Sequence, residues 1–203
     1  FFKKIKLSIE QITEPIQTIH LKVTKKYYMN ISANLFVISA PSGAGKTTLV
    51  KKLISRNKQL KYSVSYTTRT PRKNEIDGHD YFFVSIDEFN HLKNQKAFIE
   101  HADVFGNLYA TSEEQVKNIL KDNHHVILEI DWQGAQQVRK SMPQCISIFI
   151  LPPSQEVLNK RLVNRATDTK EIIARRLNEA LDDMSHWNEF DYCIINDDLD
   201  IAA

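Results

Sequence analysis

The chain holds few glycines, 5 in 203 residues, about a third of the usual ~7%. Gly43 and Gly45 share one loop. Gly78, Gly106 and Gly134 each fall in a polar or turn-like stretch where a positive φ or a close backbone approach calls for glycine, so all three are expected to border the substrate site or a turn. Cysteine is scarcer still. Cys145 and Cys193 lie in or beside apolar, strand-like runs without metal spacing, which reads as two buried thiols in a reducing compartment. A dominant charge is missing too: 27 Lys+Arg against 25 Asp+Glu leave +2, with no long block of one sign, so a nucleic-acid partner is not implied. The first 28 residues contain no continuous apolar run, which argues against a signal peptide or membrane span. Glu10, Glu14 and the absence of Arg there argue against a transit peptide. The seven histidines show no metal spacing, and neither an internal repeat nor a low-complexity tract occurs.

What remains is 42% hydrophobic, enough to bury a sizeable core as one domain with mobile subdomains. Residues 1–28, lysines scattered among isoleucines, differ from the rest, and Met29 is the expected natural start with an appendage before it. An amphipathic extension that packs or pairs subunits stays open as the alternative.

Against this background one segment stands out. The apolar run Leu35-Phe36-Val37-Ile38 leads into Ser39-Ala40-Pro41-Ser42-Gly43-Ala44-Gly45-Lys46-Thr47-Thr48, and the helix-like Leu49-Val50-Lys51-Lys52-Leu53-Ile54 follows. This is a strand, a phosphate-cradling loop and a helix. Backbone N–H groups of such a loop converge on phosphate oxygens at the positive end of the helix, Lys46 adds a point charge, and the Thr47 hydroxyl can ligate Mg²⁺. A nucleoside triphosphate is therefore expected on Ser42, Gly43, Ala44, Gly45, Lys46, Thr47 and Thr48. The consensus GxxxxGK[ST] wants Gly where Ala40 stands, a place where a small residue suffices.

Strand-like runs recur at 35–40, 125–130, 146–151 and 192–195, separated by helical patterns at 46–57, 112–122, 133–141, 154–165 and 170–187. Strands alternating with helices predict a parallel sheet covered on both faces, with ligands at the carboxyl ends of the strands. Residues 62–111 break the rhythm. Tyr62 to Thr68 and Asp80 to Val84 alternate like exposed antiparallel strands and predict a small mixed insert. It carries Thr68-Arg69-Thr70-Pro71-Arg72, then Glu75, Gly78, Tyr81, Glu100, Tyr109 and Thr111. Two arginines three apart beside tyrosine hydroxyls form a fork for a second phosphate; taken alone, the segment reads first as an exposed basic turn.

From Leu35 to Ala203 the chain resembles a guanylate kinase of the bacterial type. The resemblance rests on Ser39 to Lys46, Ser63-Val64-Ser65, Thr67 to Arg72, Asp80 to Val84, Phe105-Gly106-Asn107, Ile130-Asp131-Trp132-Gln133-Gly134-Ala135, Phe149 to Ser154 and Asn196-Asp197-Asp198, in the family's order. It implies an α/β, P-loop NTPase-like parallel sheet with helices on both faces, a small mixed GMP-binding insert and a helical lid. Residues 29–203 are then one domain, with a core of 35–61, 112–153 and 188–203, the insert at 62–111 and the lid region at 154–187.

Carried over by the resemblance, the acceptor phosphate of GMP falls to Arg69, Arg72, Tyr81 and Tyr109, and Glu75 and Glu129 join the GMP set. Guanine falls to Glu100, supported by Ser65, Thr111 and Asp131. The chemistry agrees, since guanine's N1–H and N2–H₂ are adjacent donors that one carboxylate accepts together. Without the family, Glu100 reads equally as a helix-end charge. The implied lid brings Arg161, Arg165 and Arg176 over ATP, where with Lys46 and Arg69 they serve catalysis by neutralising the moving phosphoryl group; surface charge is the alternative, and Arg175 reads as a solvated helix charge. Asn196 takes adenine. The implied reaction converts ATP and GMP to ADP and GDP with Mg²⁺, held through Thr47, and no covalent intermediate. ATP and GMP are the implied partners, with no nucleic acid and no membrane, in a cytoplasmic monomer or homodimer.

Some positions depart from the family pattern: Glu129 stands where Asp is usual, Leu108 and Ala110 flank Tyr109 where Tyr and Gly are common, and Ala166 follows Arg165 where Gly is common. The chain also ends shortly after Asn196-Asp197-Asp198, where the family continues with a helix. Two rival readings are a kinase-like module that only binds phosphopeptides, against which the intact Lys46, Thr47, Arg69, Arg72 and Glu100 speak, and a P-loop kinase for another acceptor, against which Glu100, Ser65 and Thr111 speak.

Overall fold

In the computed structural model the described residues are 33–104, 106–163 and 170–203, with the backbone alone for 170–176. The extension 1–28, Met29, Phe105, Arg165 and Ala166 lie outside them, as do the side chains of Arg175 and Arg176.

In chain order, strand β1 (Leu35–Ser39) leads through loop 40–45 into helix α1 (Lys46–Arg56), and β2 (Leu60–Tyr62) follows. Short strands β3 (Tyr66–Thr67) and β4 (Phe82–Phe83) come next, then α2 (Ile86–Asn94), β5 (Phe98–Val104) and β6 (Asn107–Ser112). Alternation resumes with α3 (Glu113–Lys121), β7 (His125–Glu129), α4 (Trp132–Ser141), β8 (Ile146–Leu151), α5 (Gln155–Val163) and α6 (Lys170–Ser185). A 3₁₀ turn (Trp187–Glu189), β9 (Tyr192–Ile195) and α7 (Leu199–Ala202) close it.

These elements fall into two compact units, Ile38–Leu53 with Ser147–Ala203 and residues 33–37 with Ile54–Ile146. In the first, β8 and β9 run parallel, Ile148 opposite Tyr192 and Leu151 opposite Ile195. Their shared entry is tied by buried Asp191, whose carboxylate accepts from the Ser147 N–H (2.9 Å) and hydroxyl (2.8 Å). Leu49, Val50, Phe149, Ile150, Leu151, Leu158, Leu162 and Met184 make its core, each at most 2% exposed. Burying a side chain of this size contributes about 1.5–3 kcal/mol, so this apolar set supplies the rigidity against which the polar loop is held.

In the second unit β2 pairs parallel with β7, and β7 lies next to β1. A separate four-stranded sheet has the order β4-β3-β6-β5, with β3 parallel to β4 and antiparallel to β6, and β5 antiparallel to β6. Its helices start on designed caps. Ser85 accepts from the Glu88 N–H, Ser112 from the Gln115 N–H and Asp131 from the Gly134 N–H, each satisfying an otherwise orphaned first-turn donor.

The predicted runs at 35–40, 125–130, 146–151 and 192–195 are β1, β7, β8 and β9, and the five helical patterns are α1, α3, α4, α5 and α6 within a few residues. The run 62–68 is a different matter, because it is not one strand. Tyr62 ends β2 opposite Ile127, whereas Tyr66 and Thr67 belong to the other sheet; alternation gives a strand its faces but not its partners. The run 80–84 shortens to Phe82–Phe83. Helix α2 and strands β5 and β6 add to what periodicity alone predicts.

Candidate active site

In the first unit the loop between β1 and α1 is held by its backbone. Gly43 and Gly45 have φ of +87° and +91°, the left-handed region that only glycine enters without strain. Gly45 is needed twice over, since a Cβ there would stand 2.5 Å from Asn196 Nδ2. That Asn196 amide, 3% exposed, donates to the Ala44 carbonyl at 2.8 Å, and Arg161 Nη1 donates to the same oxygen at 3.3 Å while Nη2 reaches the Asn196 carbonyl at 3.3 Å. Asn196, just past β9, and Arg161 of α5 thus strut the loop, a role spacing in the sequence did not reveal. A buried carbonyl with two donors keeps the loop in one shape, as buried backbone groups require partners.

Helix α1 has no acidic residue in its first turn, which leaves the positive end of its dipole for an anion. Lys46 is half-buried there, and Thr47 and Thr48 are exposed. Among the described residues no three His, Cys, Asp or Glu side chains gather into a metal centre. The Thr47 hydroxyl in that exposed turn is a single oxygen donor, the modest contribution a Mg²⁺ shared with phosphates asks of a protein.

In the second unit several of the predicted acceptor residues gather in two clusters. One gathers Arg69, Glu75, Tyr81 and Tyr109. Arg69 Nη2 donates to Glu75 Oε1 at 2.7 Å, both side chains 15% exposed, and the second Glu75 oxygen accepts from the Arg72 N–H at 2.7 Å. The hydrogen bond holds Glu75 below the usual carboxylate range and raises Arg69 further. The guanidinium lies 5.4 Å from the Tyr81 ring centre and 5.8 Å from that of Phe83, so aromatic faces orient it. Burial above all pushes the Tyr81 phenol up to about 12, with Tyr109 and Glu129 adding to it; at neutral pH it is a hydroxyl donor. Tyr62, unremarked in the sequence, joins this group, its phenol raised by burial and by the Glu129 charge. The Arg72 side chain is not drawn in. It is 75% exposed and 3.7 Å from Glu75.

The other cluster surrounds Glu100, which lies in β5 rather than at a helix end and is 3% exposed. A bulge creates its setting. Phe98 opposes Ser112, yet Glu100 opposes Thr111, so Ile99 is the extra residue that turns the carboxylate toward Thr111 instead of Ala110. The Thr111 hydroxyl, fully buried, donates to Glu100 Oε1 at 2.6 Å. Ser65 is buried and its carbonyl accepts from the Phe82 N–H. Asp131 is half-buried and caps α4 through Gly134 at 2.8 Å. Gly78 and Gly106 sit in turns with φ of +73° and +75°, as expected of them.

The guanylate kinase family model matches residues 32–203. The chain is 54% identical over 166 residues to the guanylate kinase of Alkalilimnicola ehrlichii, covering 82% of each. It is 53% identical over 168 residues to that of Pseudomonas fluorescens, covering 83% of this chain and 82% of the relative. The crystal structure of guanylate kinase from Anaplasma phagocytophilum matches with a TM-score of 0.69 at 34% identity, over 85% of this chain and 81% of that one. A glycine-bearing loop braced at the head of α1, a mostly parallel α/β fold and these matches agree, and the chain belongs to the guanylate kinase family.

Proposed function

We propose that the residue clusters described above divide one reaction, transfer of the terminal phosphoryl group of ATP to GMP to give ADP and GDP. Glu100 carries the reading. A buried carboxylate with one oxygen fixed by Thr111 is an acceptor kept dry and still, and guanine offers two adjacent donors to it. Adenine offers a lone pair at N1, which a carboxylate repels, so the same group admits GMP and rejects AMP. Ser65 and Asp131 complete the base site. Arg69, Tyr81 and Tyr109 take the acceptor phosphate, and Arg72 swings in from solvent. Glu75 keeps the Arg69 fork oriented and Glu129 belongs to the GMP set.

On the donor side, N–H groups of residues 42–48 and Lys46 hold the phosphates of ATP, and Asn196, fixed on the Ala44 carbonyl, is the residue assigned to adenine. Arg161, with Arg165 and Arg176, supplies charge to the moving phosphoryl group. Thr47 would hold Mg²⁺, which would supply positive charge to offset that of the donor phosphates. The protein's part is then positioning and charge stabilisation, with no covalent intermediate. The domain plan is a core at 35–61, 112–153 and 188–203, an acceptor insert at 62–111 and a lid at 154–187. No helix among the described residues is long and apolar enough to cross a membrane. Two buried cysteines outside any disulfide suit a cytoplasmic setting.

A coupled ADP-release assay with GMP, AMP, UMP and CMP as acceptors tests the reading. GMP is expected to turn over with kcat/KM above the others by on the order of 10³ or more, and equal use of AMP would overturn it.

A further inference from the structure

Gly134 differs from the other four glycines, since it alone lies outside the left-handed region. It sits in the first turn of α4, where alanine is the better helix former. What excludes a side chain there is Glu100. A Cβ on Gly134 would stand 2.5 Å from Glu100 Oε2, 3.1 Å from its Cδ and 3.3 Å from Asp131 Oδ1. The first of these is closer than real Cβ atoms come to anything.

The helix and the strand are also fastened together, so neither can yield. One turn beyond Gly134, Gln137 accepts from the His101 N–H at 3.1 Å and donates to the His101 carbonyl at 2.7 Å, a two-point clamp on the residue after Glu100. Ala135 and Val138 of α4 are fully buried, and close-packed interiors give little for one added methyl. From the opposite side the Thr111 hydroxyl holds the carboxylate at 2.6 Å.

We propose that Gly134 is a specificity-determining residue for the acceptor base: the missing side chain sets how deep the Glu100 carboxylate lies, so the backbone of α4 places the group that reads guanine. This rests on the reading of Glu100 given above. A methyl at position 134 displaces the carboxylate, and a purine edge that must meet two acceptor oxygens at once is intolerant of displacement.

The experiment compares Gly134→Ala, Glu100→Gln, Glu100→Asp and the Gly134→Ala/Glu100→Asp double variant by steady-state kinetics with GMP, AMP and ATP, and by thermal melting. Gly134→Ala should lower Tm by no more than several degrees, raise KM for GMP by about tenfold or more, narrow the preference for GMP over AMP, and leave KM for ATP within about twofold. Asp draws the carboxylate back by one methylene, so Glu100→Asp should cost GMP recognition less in the Gly134→Ala background than in the wild type. If Glu100→Gln loses the preference for GMP while Gly134→Ala keeps wild-type KM for GMP, the reading of Glu100 stands and this proposal falls. If Glu100→Gln keeps the preference, both fall. Should Gly134→Ala not fold, recovery of folding in the double variant upholds the contact, and failure of both to fold overturns it.

Discussion

In the proposed reaction the loop at the head of α1 and the cluster around Arg69 and Glu100 share one task, holding a phosphorylated ligand, with different materials. The loop is made of backbone. Its shape depends on two left-handed glycines and on the Ala44 carbonyl, held by the Asn196 amide and Arg161. The acceptor cluster is made of side chains: a buried carboxylate on a bulged strand, and an arginine paired with Glu75 and stacked on aromatic rings. Backbone N–H groups grip any phosphate, whereas a placed carboxylate and phenols tell one nucleotide from another. On the proposed assignment the first region supplies affinity and charge, and the second supplies identity.

Substituting the identity-bearing group should break this contrast most. In Glu100→Gln the amide keeps one acceptor oxygen and sets its N–H₂ against guanine's own donors. Mismatched buried polar groups of this kind are worth discrimination on the order of 10⁴. GMP should lose that order in kcat/KM while KM for ATP barely moves, and AMP, whose N1 accepts from an amide, should lose little. A variant that still prefers GMP as the wild type does would move guanine recognition to Ser65, Thr111 and Asp131.

Lys46→Ala should come next, lowering kcat by about 10²–10³ for every acceptor alike, because it removes charge from the transferring phosphates. Its melting temperature should stay near the wild-type value. Retained kcat in a folded variant would sink the division of labour. Arg69→Ala sharpens the same contrast from the other side: KM for GMP should rise about 10–100-fold, the range of a lost charge-assisted contact, with KM for ATP unchanged. Equal effects on both substrates would mean that Arg69 serves the transferring group rather than the acceptor.

The difference in materials also explains what could be read in advance. A backbone loop must be contiguous, so residues 39–48 announce strand, loop and helix in ten letters. The acceptor cluster is drawn from positions spread between Ser65 and Asp131, and beyond the fork of Arg69 and Arg72 its roles became legible only through the family resemblance. Three of its determinants left no trace in the periodicity. The extra residue Ile99 breaks the alternation of β5, the split of 62–68 between two sheets is a matter of partners, and the closeness of Gly134 to Glu100 is a tertiary contact. Local signals for the missed elements did exist. Ser85 with Glu88 three residues on is a helix-start signature, and Gly106 marks the turn between β5 and β6. The struts on Ala44 from Arg161 and Asn196 were hidden for the opposite reason, since they lie 117 and 152 residues away.

Those struts give a smaller effect. Asn196→Ala leaves the buried Ala44 carbonyl with a poorer set of donors, which should cost about 1–3 kcal/mol of stability and raise KM for ATP by several-fold. Wild-type stability together with wild-type KM would show that the loop holds itself.

The smallest expected effect sets the two regions apart by pH. Glu75 titrates lower in the folded chain than its ordinary value, chiefly through the hydrogen bond from Arg69. Between the folded and unfolded pKa the unfolded chain therefore binds more protons, and stability rises with pH there. The pair's contribution is present above the unfolded carboxylate pKa, about 4.3, and is lost as pH falls through the lowered folded value. Glu75→Gln should thus cost about 0.5–1 kcal/mol at pH 7, the scale of one net hydrogen bond, with the deficit shrinking toward zero in acid. Asn196→Ala removes an amide-to-carbonyl bond with nothing to titrate, so its deficit should be flat over the same window. Denaturant unfolding of both variants at pH 7 and near pH 3 reads the two slopes. A Glu75→Gln deficit that persists unchanged in acid would show that Glu75 holds Arg69 by packing rather than by charge.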